Sequence, residues 1–240
     1  MIHPDPHKLL KTAAITTPPI GFYDTPDPSQ FEPLISPRKG AHACVFAFYR
    51  AWMRGQTLHI TSENAGCNGA GHWLCGVQTR DREDFVKFLV EEEGLRASHE
   101  LINSWLDVAE PYRQKHPHLL IGPLKKDMYQ YLKTVTFLVD ADRLALLVTG
   151  AYYHSRPVDP PPVIAPFGSG CSALIAAFDD LDIAQASIGA TDTAMRRHLP
   201  PDILAFTVTR PMFERLCALD ENSFLYKGFW SDLKKARGIT

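Results

Sequence analysis

Three of the five cysteines in this 240-residue chain have neighbours that favour a thiolate, the form that binds metals and reacts. Cys44 lies at the first turn of an expected helix, Cys67 lies in a glycine-rich loop, and Cys171 follows a Gly-Ser-Gly turn that opens another expected helix. Unpaired backbone N–H groups and the positive end of a helix dipole lower the pKa of a thiol. Cys217, by contrast, is predicted to be a core residue inside an apolar helix, and Cys75 fits either description.

A four-iron four-sulfur cluster is the cofactor that these thiols suit best. Three cysteines can hold such a cluster while its fourth iron stays open or takes a ligand other than cysteine, and wide spacing along the chain is no obstacle. Glycine-rich loops suit it too, because their backbone N–H groups can point at the cluster sulfides. We therefore expect Cys44, Cys67 and Cys171 to converge as metal ligands that bind the cofactor.

Four further residues are candidates for a substrate-binding or supporting role. An open iron would bind a small anionic molecule, for which Arg196 or Arg197 supplies the opposite charge. Glu63 and Asn64 precede Cys67 closely enough to hydrogen-bond to the residues that hold the cofactor. The sequence assigns no catalytic residue.

Zinc is the alternative metal, with His42, His59 or His72 as a fourth ligand. Structural zinc sites usually draw their cysteines as close C-x₂₋₄-C pairs, which this chain lacks. A third alternative binds no metal and makes Cys171 a nucleophile, with His154 or His198 as its base. In a fourth alternative, the cysteines are purely structural.

Two function classes follow from these alternatives. One is an iron–sulfur enzyme, or a cluster-dependent binding protein, that acts on a small molecule. The other is a non-catalytic sensor or accessory protein that uses the same cysteines to hold a metal or to respond to oxidation.

Alternating strands and helices must position these residues. Apolar periodicity and turn residues predict strands over residues 57–61, 134–139, 183–188 and 203–208, and helices over 41–54, 84–93, 98–109, 140–153, 170–179 and 210–219. Asp140 is the expected N-cap of its helix, and residues 67–71 contain too much glycine for regular structure. The sequence shows no internal repeat. The fold class is α/β or α+β, with a mixed sheet and helices packed on it.

Composition narrows the class of protein. Hydrophobic residues make up 45% and charged residues 22%, which is typical of a globular chain. We predict one α/β domain over residues 41–240, with a proline-rich segment, residues 1–40, packed on it. Lys and Arg total 25 against 27 for Asp and Glu, which argues against nucleic acid as a partner. No apolar run is long enough to span a bilayer, so no membrane association and a cytoplasmic location are expected.

From about residue 40 to residue 215 the chain resembles a prokaryotic family of uncharacterised proteins called domain of unknown function 169. The segments that carry the resemblance are the helix from Cys44 to Gly55, the stretch 61–70, the strand and helix start at 137–144, the turn at 170–173, and the stretches 187–189 and 195–200. The resemblance implies a cysteine at the helix start, in the glycine loop and in the later turn, which are Cys44, Cys67 and Cys171 here. The chain departs from the family pattern at residues 72–76, which include Cys75, and at 134–136.

Overall fold

A computed structural model describes residues 4–38, 43–77, 80–168 and 170–239. Its centre is an eight-stranded mixed sheet with the strand order β2-β3-β4-β1-β5-β8-β7-β6. The strands are β1 (Ile20–Thr25), β2 (Leu34–Ile35), β3 (Thr57–Ile60), β4 (His118–Pro123), β5 (Leu132–Val139), β6 (Val163–Ile164), β7 (Ala186–Gly189) and β8 (Leu204–Thr209). The predicted mixed sheet with packed helices is confirmed, in an α/β arrangement.

Helices connect these strands and pack on the sheet. They are α1 (His7–Thr12), α2 (Tyr49–Met53), α3 (Asn68–Cys75), α4 (Arg82–Lys87), α5 (His99–Val108), α6 (Ala141–Tyr152), α7 (Thr193–Arg196), α8 (Arg210–Cys217) and α9 (Gly228–Arg237). Short 3-10 helices precede α2, over Val45–Phe48, and follow β6, over Ser172–Leu174, and a π-helical turn over Phe88–Glu92 continues α4.

The sheet separates two hydrophobic cores, because successive side chains of a strand point to opposite faces. On β5, Phe137 packs in the core that contains α1, α6 and α8, whereas Leu138 packs in the other core. The second core contains Trp52 of α2, Trp73 of α3 and Met195 of α7. All the cysteines except Cys217 lie on this side. Helices α4 and α5 add a smaller cluster around Leu89 and Ile102.

The sheet consists of two halves with the same topology. In the first half the order is β2-β3-β4-β1, and in the second half it is β6-β7-β8-β5. In each half the edge pair is parallel, the next two pairs are antiparallel, and the halves meet at the antiparallel pair β1 and β5. Strand order and direction are thus related by a pseudo-twofold axis between β1 and β5. The expectation of no internal repeat holds for the sequence but not for the topology.

Several predicted elements match the structure, and two do not. Helix α6 begins after Asp140, whose side chain accepts a hydrogen bond from Arg143 N at 3.0 Å, as expected of an N-cap. The glycine-rich stretch 67–71, predicted to be irregular, instead lies mostly in α3, because Cys67 caps this helix and Trp73 and Leu74 bury its apolar face. The helix predicted over 170–179 is only the 3-10 helix Ser172–Leu174, since the backbone there is held by hydrogen bonds to the sheet.

The proline-rich segment contributes to the sheet itself. Within residues 4–38, α1 packs in the first core, and β1 is a central strand, paired with β4 on one side and β5 on the other. Of the helices that the structure describes, none is both long enough and apolar enough to cross a membrane.

Candidate functional site

One cavity of about 300 Å³ is lined by Cys44, Cys67 and Cys171. The three residues belong to three segments that are far apart in the sequence, and each lies just before a helical turn. The cavity is closed on one side by Phe85 and Phe88, on α4 and the π-helical turn that continues it.

A glycine brings the Cys67 segment against the Cys44 segment. Gly66 has a φ of +85°, and a β-carbon at this position would lie 2.6 Å from the carbonyl oxygen of Ala43. The backbone N–H of Ala43 donates a hydrogen bond of 2.8 Å to the carbonyl oxygen of Gly66. Only glycine combines this backbone conformation with so close an approach. Cys44 and Cys67 therefore each follow a residue that joins the two segments.

Cys67 and Cys44 are both N-cap residues at the start of a helical segment. The Cys67 sulfur is the N-cap acceptor of α3 and accepts from Ala70 N at 3.3 Å. The Cys44 side chain makes no capping hydrogen bond, but the backbone N–H groups of Phe46 and Ala47 partly offset the rise that burial causes in its pKa. The burial of Phe46 fixes this turn against the second core.

Two buried hydroxyls attach the Cys171 segment to the sheet. Ser187 Oγ on β7 donates to the carbonyl oxygen of Ala173 at 2.8 Å, and Thr134 Oγ1 on β5 donates to that of Leu174 at 2.7 Å. These bonds satisfy carbonyl groups that would otherwise be buried without a partner. They place Cys171, itself buried, at the cavity wall.

Burial raises the pKa of all three thiols, which makes the sequence-based expectation of lowered values wrong. The pKa of Cys44 rises to about 11, that of Cys67 rises as well, and that of Cys171 lies well above its ordinary value. After burial, the charges of Cys67 and Cys44 are the next causes that raise the pKa of Cys171. The three groups therefore interact electrostatically, and without a bound cation they are protonated at neutral pH.

Two carboxylates stand beside the thiols, and basic groups line the same cavity. Asp192 and Glu93 both line the cavity, and the pKa of Glu93 is raised by burial and then by the charge of Asp192. Arg80 and Arg197 also belong to the lining and are exposed, and His198 is a third basic group there. The cavity lining thus combines thiols and carboxylates with exposed arginines.

The described residues match one family. The profile of the family described as uncharacterised ArCR, DUF169, matches residues 8–218. The chain belongs to this family. No curated protein and no solved structure matches the chain.

In this DUF169 member, the three cysteines that carried the resemblance are the three that line the cavity. Cys75, which departs from the family pattern, is buried in the second core near the end of α3, and Cys217 packs against the first core across the sheet. Neither of them is among the residues that line the cavity.

Of the other predicted site residues, Arg197 lines the cavity and Arg196 does not. The Arg196 guanidinium instead donates to four backbone carbonyl groups, those of Ala190, Pro200, Pro201 and Ile203. These bonds hold the loop between α7 and β8, and the role of Arg196 as a counter-charge for a substrate stays a prediction.

Glu63 and Asn64 also stay outside the cavity lining. Asn64 Oδ1 accepts a hydrogen bond of 2.7 Å from Thr61 N and so stabilises the turn that follows β3. Glu63 is exposed in the same turn. The predicted support of Cys67 by these two residues stays a prediction.

Among the histidines proposed as ligands or bases, His198 alone is part of the described cavity lining. His59 Nε2 lies 3.0 Å from His118 Nδ1 on the neighbouring strand, His72 lies between the rings of Trp73 and Phe85, and His154 is exposed beyond α6. His42 lies outside the described residues.

Over residues 4–38, 43–77, 80–168 and 170–239, no group of three or more His, Cys, Asp or Glu side chains is placed to hold a metal ion. A single zinc ion needs its ligand atoms within about 2.0–2.3 Å of one point. The zinc hypothesis therefore has no support from the described side chains.

Sequence reasoning missed Asp192, Glu93 and Arg80 as cavity residues. Asp192 carried a usable signal, since an aspartate before Thr193-Ala194 is a typical helix N-cap, and its Oδ1 accepts from Ala194 N at 2.8 Å. No comparable signal in the sequence indicated Glu93 and Arg80, because their positions depend on how α4 packs over the cavity.

Proposed function

We propose that this protein binds a four-iron four-sulfur cluster through Cys44, Cys67 and Cys171, and a small anionic molecule in the rest of the cavity. The observation that carries the proposal is that three thiols from three distant segments line one cavity, whereas the two cysteines outside the family pattern do not.

Backbone geometry supports a role in holding thiolates. The N–H groups of Phe46 and Ala47 act on the Cys44 sulfur, and those of Gly69 and Ala70 act on the Cys67 sulfur. Hydrogen bonds of this kind stabilise the charged form of a sulfur ligand and tune the reduction potential of a cluster. A plain core cysteine has no need of such donors.

The raised pKa values favour a bound cation over a free nucleophile. A buried thiol with a raised pKa is inert at neutral pH, which disfavours the reading of Cys171 as a nucleophile. Coordination to a metal deprotonates a thiol outright, so that metal binding releases protons and supplies the missing positive charge.

The way in which a cluster is held favours a cluster over a single ion. Each cysteine of a cluster binds a different iron, so the sulfur ligands stand about 6–7 Å apart rather than meeting around one point. This arrangement agrees with three thiols that share a cavity without forming a group compact enough for one ion.

The exposed arginines of the cavity lining support an anionic ligand. They are Arg80 and Arg197, and burial followed by the charge of Arg197 lowers the pKa of His198. Arginine is well suited to hold carboxylate or phosphate groups in two parallel hydrogen bonds. A small anion would therefore be attracted to the mouth of the cavity, with its reactive part towards the thiols.

Anaerobic reconstitution tests the proposal. The purified protein is incubated with ferrous iron and sulfide, desalted, and analysed for iron, acid-labile sulfide, zinc, visible absorption and electron paramagnetic resonance. The parent and Cys217→Ser are expected to bind equal amounts of iron and sulfide, because Cys217 lies across the sheet. Cys171→Ser should lose most of both, since a hydroxyl at neutral pH is a far poorer ligand than a thiolate.

Urea denaturation of the two variants without metal serves as a folding control, because both substitutions remove a largely buried sulfur. A parent that takes up neither iron nor sulfide, or three preparations with equal content, would refute the proposal. Zinc bound with full occupancy and no sulfide would refute the cluster.

A further inference from the structure

The two halves of the sheet place their cavity residues at equivalent positions. Cys44 follows β2 and is the N-cap residue of a 3-10 helix, and Cys171 follows β6 and is likewise the N-cap residue of a 3-10 helix. Since β2 and β6 are the equivalent edge strands of the two halves, Cys44 and Cys171 are related by the pseudo-twofold axis.

The second pair of equivalent positions consists of one cysteine and one aspartate. Cys67 is the N-cap of α3, the helix that follows β3, and Asp192 is the N-cap of α7, the helix that follows β7. Strands β3 and β7 are equivalent in the two halves. Of four related positions around the cavity, three are therefore cysteines and the fourth is Asp192.

The contacts between segments repeat as well. In the first half, Ala43 N, immediately before Cys44, donates to the carbonyl oxygen of Gly66 at 2.8 Å. In the second half, Gly170 N, immediately before Cys171, donates to Asp192 Oδ2 at 3.2 Å. In both halves, the residue before the first cysteine thus donates a hydrogen bond to the segment that carries the second cavity residue, Cys67 or Asp192.

We propose that Asp192 is the fourth protein ligand of the cluster, at the position where the other half of the fold has Cys67. This inference rests on the proposed function and adds to it the ligand of the fourth iron. Its carboxylate lies at the cavity wall and is held in place by Ala194 N and Gly170 N.

The electrostatics agree with this placement. Burial is the largest cause that raises the pKa of Cys44, Cys67 and Cys171, and the charge of Asp192 is a smaller cause that acts on all three. A carboxylate has about four lone-pair sites, and the two backbone bonds leave room for a metal bond. Hydrogen-bonded carboxylates are also the better-oriented metal ligands.

An oxygen ligand gives the fourth iron a different chemistry from the other three. Iron in a cluster prefers thiolate, so the bond to Asp192 is the weakest of the four and the easiest to exchange. Arg197 and Asp192 lie on the same short segment of the cavity lining, so an anion held by Arg197 would be close to this exchangeable ligand. Asp192 would thus act as an exchangeable ligand that a small anion replaces.

Substitution of Asp192 in the full chain tests the inference. Asp192→Asn keeps an oxygen acceptor for one of the two backbone N–H groups, those of Ala194 and Gly170, and removes the charged ligand. After reconstitution, mild oxidation by ferricyanide should remove one iron from this variant and give the paramagnetic signal of a three-iron cluster. The rate of this iron loss should be at least about tenfold higher than in the parent. Asp192→Cys should lose this iron more slowly than the parent.

Asp140→Asn is the matched control, because Asp140 is also an N-cap aspartate but caps α6 across the sheet from the cavity. It should lose iron at the rate of the parent. If Asp192→Asn and Asp140→Asn both behave as the parent does, Asp192 is not a ligand, although the cluster itself stands. If the parent takes up no iron and sulfide, the proposed function fails and this inference fails with it.

Discussion

The contact between Gly189 and Ala173 controls the position of the Cys171 segment. A β-carbon added at Gly189 would lie 2.5 Å from the β-carbon of Ala173 and 3.7 Å from that of Ala205. Ordinary contacts between carbon atoms are about 3.5–4.0 Å, so Gly189→Ala requires the two backbones to separate by roughly 1–1.5 Å. Such overpacking costs about 1–3 kcal/mol.

The free energy of unfolding, measured by urea denaturation of the metal-free protein, checks this magnitude. Gly228→Ala is the control, because a β-carbon there meets nothing within 4 Å, and its effect should stay within about 0.5 kcal/mol. Ala173→Gly removes the atom that Gly189→Ala would meet. The double variant should therefore be more stable than the sum of the single changes predicts, by about 1 kcal/mol or more.

The same change should reach the site, because Ala173 lies two residues after Cys171 in the segment that lines the cavity. Gly189→Ala is expected to reduce iron uptake on reconstitution, and Ala173→Gly is expected to restore part of it. Strictly additive effects on stability, or a loss no larger than that of Gly228→Ala, would refute the reasoning.

Three further predictions concern groups around the sheet. Ser187→Ala removes the donor to the buried Ala173 carbonyl group and should lower the free energy of unfolding by about 1–3 kcal/mol in urea denaturation. Asp24→Ala leaves Tyr112 Oη, which donates at 2.6 Å, and two backbone amides without their buried acceptor, so the loss in the same assay should exceed about 3 kcal/mol. In metal-free protein, alkylation of Cys44 followed by site-resolved mass spectrometry should give an apparent pKa of about 11. The thiol then binds its proton more tightly in the folded state than in the unfolded state. The stability that this difference contributes should therefore be lost as the pH rises from 9 to 11.

The sequence predicted an element correctly where residues within that element determine its structure. The β-branched run before Asp140 forms β5, and Asp140 caps α6, because strand propensity and a capping side chain act within a few residues. The choice of Cys44, Cys67 and Cys171 was also local, since it rested on neighbouring glycines and turns, and these residues do share a cavity.

Burial and packing were not visible in the sequence. The segment 170–179 has a helical pattern, but Thr134 and Ser187 bind its carbonyl groups from the sheet and leave only a 3-10 turn. The glycines around Gly69 seemed too numerous for a helix, yet Cys67 caps one. The sign of the thiol pKa shifts was wrong for the same reason, because burial outweighs the donors at the helix starts.

The repeated topology could not be read from the sequence either, because the two halves carry different additions. The first half contains α4 and α5 between β3 and β4, and the second contains α6 between β5 and β6. The cysteine pattern is also broken at Asp192. Only the order and direction of the strands show that Asp192 stands where the other half has Cys67.

The proposed cluster would be linked to the stability of the whole sheet. Cys44 and Cys67 come from one half, Cys171 and Asp192 come from the other, and the halves are joined through the pairing of β1 with β5. Neither half alone carries all four proposed ligands, so a bound cluster would require both halves to be folded and paired. Binding free energy that is available only to the folded state adds to the free energy of unfolding. A cluster at this position would therefore stabilise the junction between the halves as well as provide a reactive iron.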